Sequence, residues 1–232
     1  MKAAILALSL AAVGCAGSPG AMMRDAEYLK RETLQASLLK DEKAMLSEEA
    51  IQKLLASKVR IPEKAKLAVH PLSHRGVRLD RSYGESVELG VLQARGELLD
   101  ALEGPLQKTG RFVEITHVPQ PLLPAEPSLT RLREAAALMQ SDLLLVYTTC
   151  AELVTINWLF LPNEVKVHAT VEIFLVDIRT GAVPYADVHG VVHTELQSAS
   201  DDRIVETQRR GEKNALIRAL GEAAGGLAGF FR

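Results

Sequence analysis

The sequence predicts an α/β fold: a mixed sheet of about five strands with helices packed on one or both faces, preceded by a helical arm. Three observations lead there. Between 66 and 140, short apolar runs alternate with amphipathic stretches of helical spacing, the pattern of strands joined by crossover helices. The run Leu143, Leu144, Leu145, Val146 is apolar without interruption, as in a strand covered on both faces. After it come two further strand-like segments with no helix between them, so part of the sheet is antiparallel.

The chain opens on an address. Met1-Lys2 is a minimal positive start, 3–12 is apolar, and Val13-Gly14 places small residues before Cys15. That is a bacterial export signal, shorter than the ~20 apolar residues of a spanning helix. Ala12-Val13-Gly14-Cys15 resembles a lipobox, with Ala12 where leucine is usual. The resemblance implies cleavage before Cys15 and its acylation, so membrane lipid becomes the first partner, reached through palmitate-type chains. Ala16 stands where an inner-membrane retention aspartate would be, which implies the periplasmic side of the outer membrane of a Gram-negative cell. Residues 1–14 are read as lipoprotein signal peptide, 15–24 as lipidated tether, 25–60 as helical arm and 61–232 as the α/β periplasmic domain. Leu29, Leu34, Leu38 and Leu39, then Met45, Ile51, Leu54 and Leu55, carry the arm's helical spacing, and Ser47 begins a partial capping box.

Within the domain, 66–70 reads as a strand ended by Pro71, and 74–86 as a loop. A helix follows over 87–108, weakened by Gly90, Gly96 and Gly104 and kinked or broken by Pro105. Gly110 resembles a C-terminal cap, 111–117 alternates as a strand, and four prolines make 119–127 an extended loop. Ser128 caps a helix through Gln140. Strands over 142–156, 165–177 and 183–196 come next, the last two joined at Arg179-Thr180-Gly181 by a bulged turn. A register placing Ala169, Val171, Ile173 and Leu175 opposite Val192, Gly190, Val188 and Ala186 gives one apolar face. It leaves a polar face with Lys166 beside Glu195, His168 beside His193 and Glu172 beside His189. A one-residue slip would destroy both patterns. The last helix, over 202–231, carries an apolar stripe of Val205, Leu216, Leu220, Ala223, Leu227 and Phe230.

Charge and chemistry narrow the function. Lys+Arg number 27 against 29 Asp+Glu, a balance that argues against nucleic acid as a partner. His189 and His193 lie four apart on a strand, ~13 Å, too far to chelate one ion. Only His168 with His193 could share one; against that alternative the polar face reads as a solvated or interface surface, with no metal and no cofactor assigned. Cys150, among Tyr147, Thr148 and Thr149, reads as a packed thiol. No Walker A run, dinucleotide fingerprint, G-x-S-x-G or H-E-x-x-H motif is present, so no catalytic residue is assigned and no enzyme is expected. Trp158, Leu159, Phe160 and Leu161 sit between two paired strands. They either cap the core or form an exposed tip that contacts lipid or a partner. Gly221, Gly225 and Gly229 either permit close packing on the sheet or resemble a dimerisation face.

Ser141-Asp142-Leu143-Leu144-Leu145-Val146, then Val171-Glu172-Ile173-Phe174-Leu175-Val176-Asp177-Ile178-Arg179-Thr180-Gly181-Ala182-Val183 and a terminal helix, resemble the periplasmic domain shared by three groups. These are curli-secretion-channel lipoproteins, penicillin-binding-protein activators and the Tol N-terminal domain. Leu161-Pro162-Asn163 before that hairpin looks like the rhombotail lipoproteins. The resemblance implies a non-catalytic envelope lipoprotein that binds an envelope protein in assembly or regulation. The alternatives are an oligomeric secretion-channel-type subunit, with which a homo-oligomer is compatible, and a cryptic hydrolase. The segment 157–163 is shorter than the ~9 to 11 residues of each transmembrane strand in a pore.

Overall fold

The structure, a computed structural model, describes residues 47–72, 85–124, 128–156, 162–201 and 203–232, with backbone alone for 85–94. The signal peptide, Cys15 and tether, the arm as far as 46, the expected loop as far as 84, and Trp158, Leu159, Phe160 and Leu161 lie outside the described residues.

Local chemistry sets the helix ends. At the start of α1 (Glu48–Ala56) the Ser47 hydroxyl accepts the Ala50 N–H at 3.2 Å. Ala50 has no side chain to return that bond, so half of the capping box forms. Strand β1 (Ala65–Leu72) runs through Pro71, where an end was expected. Its pairing with β2 (Phe112–His117) stops at Val69 opposite His117. Beyond that point β1 has one neighbour, which is where a strand tolerates proline. Helix α2 (Glu85–Gln107) also continues past Pro105. The proline falls in its last turn; it leaves the Ala101 carbonyl without its helical N–H partner, and the helix runs only to Gln107. Gly110, at φ 67°, ends the connection as expected. After a 3-10 turn at Gln120–Leu122 comes α3 (Leu129–Leu138), whose first turn is held by the Ser128 hydroxyl accepting the Arg131 N–H at 3.4 Å. Strands β3 (Leu143–Ile156), β4 (Glu164–Asp177) and β5 (Tyr185–Leu196) precede the long α4 (Ile204–Phe230).

The expected α/β architecture is the one observed. The five strands lie in the order β2-β1-β3-β4-β5, with β1 parallel to β2 and β3 and the β3-β4 and β4-β5 pairs antiparallel. Helices α2 and α4 cover one face. Leu102 and Leu106 from α2, with Leu216, Leu220, Ala223 and Leu227 from α4, pack on Leu67, Val69, Leu143, Leu145, Val167, Val171 and Ile173. Helix α3 covers part of the other face, where Leu132, Ala135 and Ala136 meet Ala68, Leu144, Val146 and Val176. Val205 and Phe230, expected in the α4 stripe, are largely exposed.

The β4-β5 register departs from the expectation by one residue. Ala169 faces Val191, Val171 faces His189 and Leu175 faces Tyr185. The cause is the turn. Gly181 donates its N–H to Asp177 O at 2.7 Å, four residues back. The Asp177 carboxylate meanwhile accepts from the Arg179 and Thr180 N–H groups and from the Thr180 hydroxyl. This side-chain-captured loop shifts the return strand relative to a tight bulged turn, so β5 begins at Tyr185 and its side chains exchange faces. His189, His193 and Glu195 lie under α4, while Val188, Gly190 and Val192 turn outward. The expected six-residue polar face therefore divides, and Lys166, His168 and Glu172 alone remain on the open side.

Candidate binding surface

Helix α3 covers the open face of the sheet only at one end. Beyond it the cross-strand rows are Thr148, Glu172 and Val188; Cys150, Thr170 and Gly190; Glu152, His168 and Val192; and Val154, Lys166 and Thr194. Polar groups line the middle strand and aliphatic ones the β5 edge. Val188 is 61%, Val192 56% and Leu196 58% exposed, and Val154 is 52% exposed. Glu152 stands opposite His168, and Lys166 Nζ lies 3.5 Å from Glu164 Oε1, a solvated pair that adds little stability. Cys150, expected to be packed, is half-buried on this face. The arrangement offers a mixed apolar and charged patch of the kind that binds protein surfaces.

The inner side of β5 is polar, and α4 supplies its partners. Arg210 grips the Asp201 carboxylate with two bonds of 2.7 and 2.9 Å and donates through Nε to Glu195 Oε1 at 2.8 Å. The second carboxylate oxygen of Glu195 is 3.0 Å from His193 Nε2 and accepts from Asn214 Nδ2 at 3.1 Å. Burial, the largest single influence, pushes the Glu195 carboxyl up, but the bonds from Arg210, His193 and Asn214 together hold it below its usual pKa. Hydrogen bonds from Arg210 and from the Ser198 N–H depress Asp201 further. At the other end of the strand the Tyr185 hydroxyl donates to Asp187 at 3.1 Å. Burial and that carboxylate raise the phenol to about 12. His189 Nε2 lies 3.1 Å from the same oxygen, close enough for an ion pair but off line for a hydrogen bond.

No family model and no curated protein matches the chain. Among solved structures it is similar to a putative lipoprotein from Caulobacter crescentus, at 15% identity and TM-score 0.36, over 71% of this chain and 88% of that one. It is also similar to a minor lipoprotein from Acinetobacter baumannii, at 8% identity and TM-score 0.39, over 74% and 96%. A third likeness, at 15% identity and TM-score 0.38 over 74% and 93%, is to the PelC dodecamer from Paraburkholderia phytofirmans. The similarity is thus to bacterial lipoproteins at low identity.

The Arg210, Asp201, Glu195 and Asn214 cluster was not foreseen, because its members are distant in sequence and match no motif. Gly221, Gly225 and Gly229 do not make the close helix-to-sheet approach considered for them: a Cβ at any of the three would meet nothing within 4 Å. The close approaches are at Gly211, where a Cβ would lie 3.1 Å from Glu195 Cβ, and at Gly226, where it would lie 2.8 Å from the Tyr185 hydroxyl. His70 is buried with Nδ1 lacking a hydrogen-bond partner. Among the described residues no group of three His, Cys, Asp or Glu side chains converges as a metal site requires, and no helix is long and apolar enough to cross a membrane.

Proposed function

We propose that this chain is a lipid-anchored, non-catalytic envelope lipoprotein that acts by protein-protein binding in the assembly or regulation of cell-envelope machinery. Acylated Cys15 holds it at the periplasmic side of the outer membrane, and neither nucleic acid nor a cofactor takes part. The export-signal pattern ahead of Cys15 supports the anchor. The observation that carries the binding role is the open β3-β4-β5 face, where Val154, Val188, Val192 and Leu196 stand exposed beside Glu152, His168 and Glu172. Trp158, Leu159, Phe160 and Leu161, in the sequence between β3 and β4, are a second candidate contact.

In-cell photo-crosslinking tests this reading. A crosslinker at 158 and one at 168 should each capture the same envelope protein, and one at Glu222 on exposed α4 should not. Absence of an adduct from both 158 and 168 would count against it. Separately, Cys15→Ala should abolish labelled-palmitate incorporation and release the chain from the membrane fraction.

A further inference from the structure

Strand β5 is an edge strand with an unusual exposed side. The Gln197 N–H donates to Asn163 O at 2.8 Å across the β4-β5 ladder. Backbone groups alternate along a strand, so those of residues 186, 188, 190, 192, 194 and 196 point away from β4 toward the free edge. The same residues, Ala186, Val188, Gly190, Val192, Thr194 and Leu196, carry no charge and no proline. Natural edges are usually protected by lysine, proline or a bulge, because an unprotected edge templates pairing with another strand.

We infer that β5 pairs antiparallel with β5 of a second copy of this chain, about a two-fold axis at Val192. The inference goes beyond the reading above: it assigns the β5 edge of that surface, with Val188, Val192 and Leu196, to a second copy and leaves Val154, Glu152, His168 and Glu172 to the envelope partner. Three features select this register. On the open face Val192 meets its own copy and Val188 meets Leu196, so the exposed aliphatic side chains cover one another, with Gly190 opposite Thr194. On the inner face His189 stands opposite Glu195, a complementary pair made twice by the symmetry. The third feature is the backbone. The Val188 N–H is already taken by Asp187 Oδ1 at 2.8 Å and Leu196 O by Arg210 at 3.2 Å. At this register those two occupied groups face each other across the axis, so each end of the ladder forfeits a single bond.

Neighbouring registers, which come in steps of two, do worse. One places Asp187 opposite Glu195, like charge on like charge. The other places Val192 opposite Thr194 and Leu196 opposite Gly190, so the exposed aliphatic side chains no longer meet one another.

Full-length chain purified in detergent provides the test. In a hydrogen-bonded antiparallel pair the Cα atoms lie ~5.5 Å apart, within disulfide reach. Val192→Cys should therefore form a disulfide-linked dimer under mild oxidation. Thr194→Cys should not, since its copy is over ~13 Å away along the ladder, and the parent chain with its native Cys150 serves as control. By sedimentation the parent should be a dimer, and Val192→Lys should raise its dissociation constant at least about tenfold with an unchanged circular dichroism spectrum. A monomeric parent at micromolar concentration would overturn the inference. So would an assembly indifferent to Val192→Lys, or crosslinking from 194 as efficient as from 192.

Discussion

The two valines that end the middle of β5 decide its register. Val191 is 6% exposed beneath α4 and Val192 is 56% exposed on the open face; a register one residue along would reverse them. Val191→Ala removes two methyl-sized groups at ~0.8 kcal/mol each and leaves a small cavity, a total of about 2 kcal/mol. Val192 keeps more than half its surface in water, and its truncation leaves no cavity, so Val192→Ala should cost about 0.5 kcal/mol. Urea unfolding followed by circular dichroism measures both. Running it at two protein concentrations separates association from intrinsic stability, because an association contribution rises with concentration. If Val192→Ala costs as much as Val191→Ala at the lower concentration, the register is wrong, and the assignment of His189, His193 and Glu195 to the inner face falls with it.

Three further outcomes follow from individual contacts. Gly181 holds φ 78°, and a Cβ there would lie 2.7 Å from Arg133 Nη1, in the guanidinium whose Nε and Nη2 donate to Ile178 O and Arg179 O; Gly181→Ala should cost about 2 kcal/mol, less in an Arg133→Ala background, by a double-mutant cycle of urea midpoints. Gly221→Ala and Gly225→Ala, with open space around the new methyl, should each stabilise by about 0.5 to 1 kcal/mol. Gly211→Ala, against Glu195 Cβ and Val167 Cγ2, should not; equal gains at all three would show that α4 is not seated as described. Burial, with a further contribution from His117, holds the His70 imidazole below its usual pKa. The unfolded chain then takes up this proton more readily, so the stability is complete above about pH 6.5 and declines as pH falls below it. Unfolding midpoints at about pH 7.5 and 5.5 should diverge in the parent and converge in His70→Leu; an unchanged difference would refute the assignment.

Much of the fold was legible because its signals are local. Ser47, Ser128 and Gly110 each act on backbone groups within a few residues, and the uninterrupted apolar run at 143–146 sits where both faces are covered. Pro71 misled because its tolerance depends on where a neighbouring strand stops, which is information carried by β2. The glycines of α4 misled for a related reason. Even spacing marks a face of a helix, but which face meets the sheet is set by Gly211 and Gly226 lying over Glu195, Tyr185 and His189. The Arg210 cluster had no sequence signal, since an arginine on the last helix and acids before it are ordinary until the fold brings them together.

The failure at β5 carries the most information. Alternation along Tyr185–Leu196 separates one row of Tyr, Asp, His, Val, His and Glu from another of Ala, Val, Gly, Val, Thr and Leu. The usual rule buries the second row. The structure turns the first inward instead, burying Val191 and half-burying Tyr185, His189, His193 and Glu195, and can do so because Arg210 and Asn214 compensate Glu195 for its lost water while Asp187 engages Tyr185 and His189. A strand whose polar row is matched by the protein's own helix, and whose aliphatic row faces outward on an unprotected edge, is inverted only with respect to a monomer. With respect to the proposed sheet continued by a second copy, its edge is paired and Val188, Val192 and Leu196 each gain an aliphatic cross-strand neighbour.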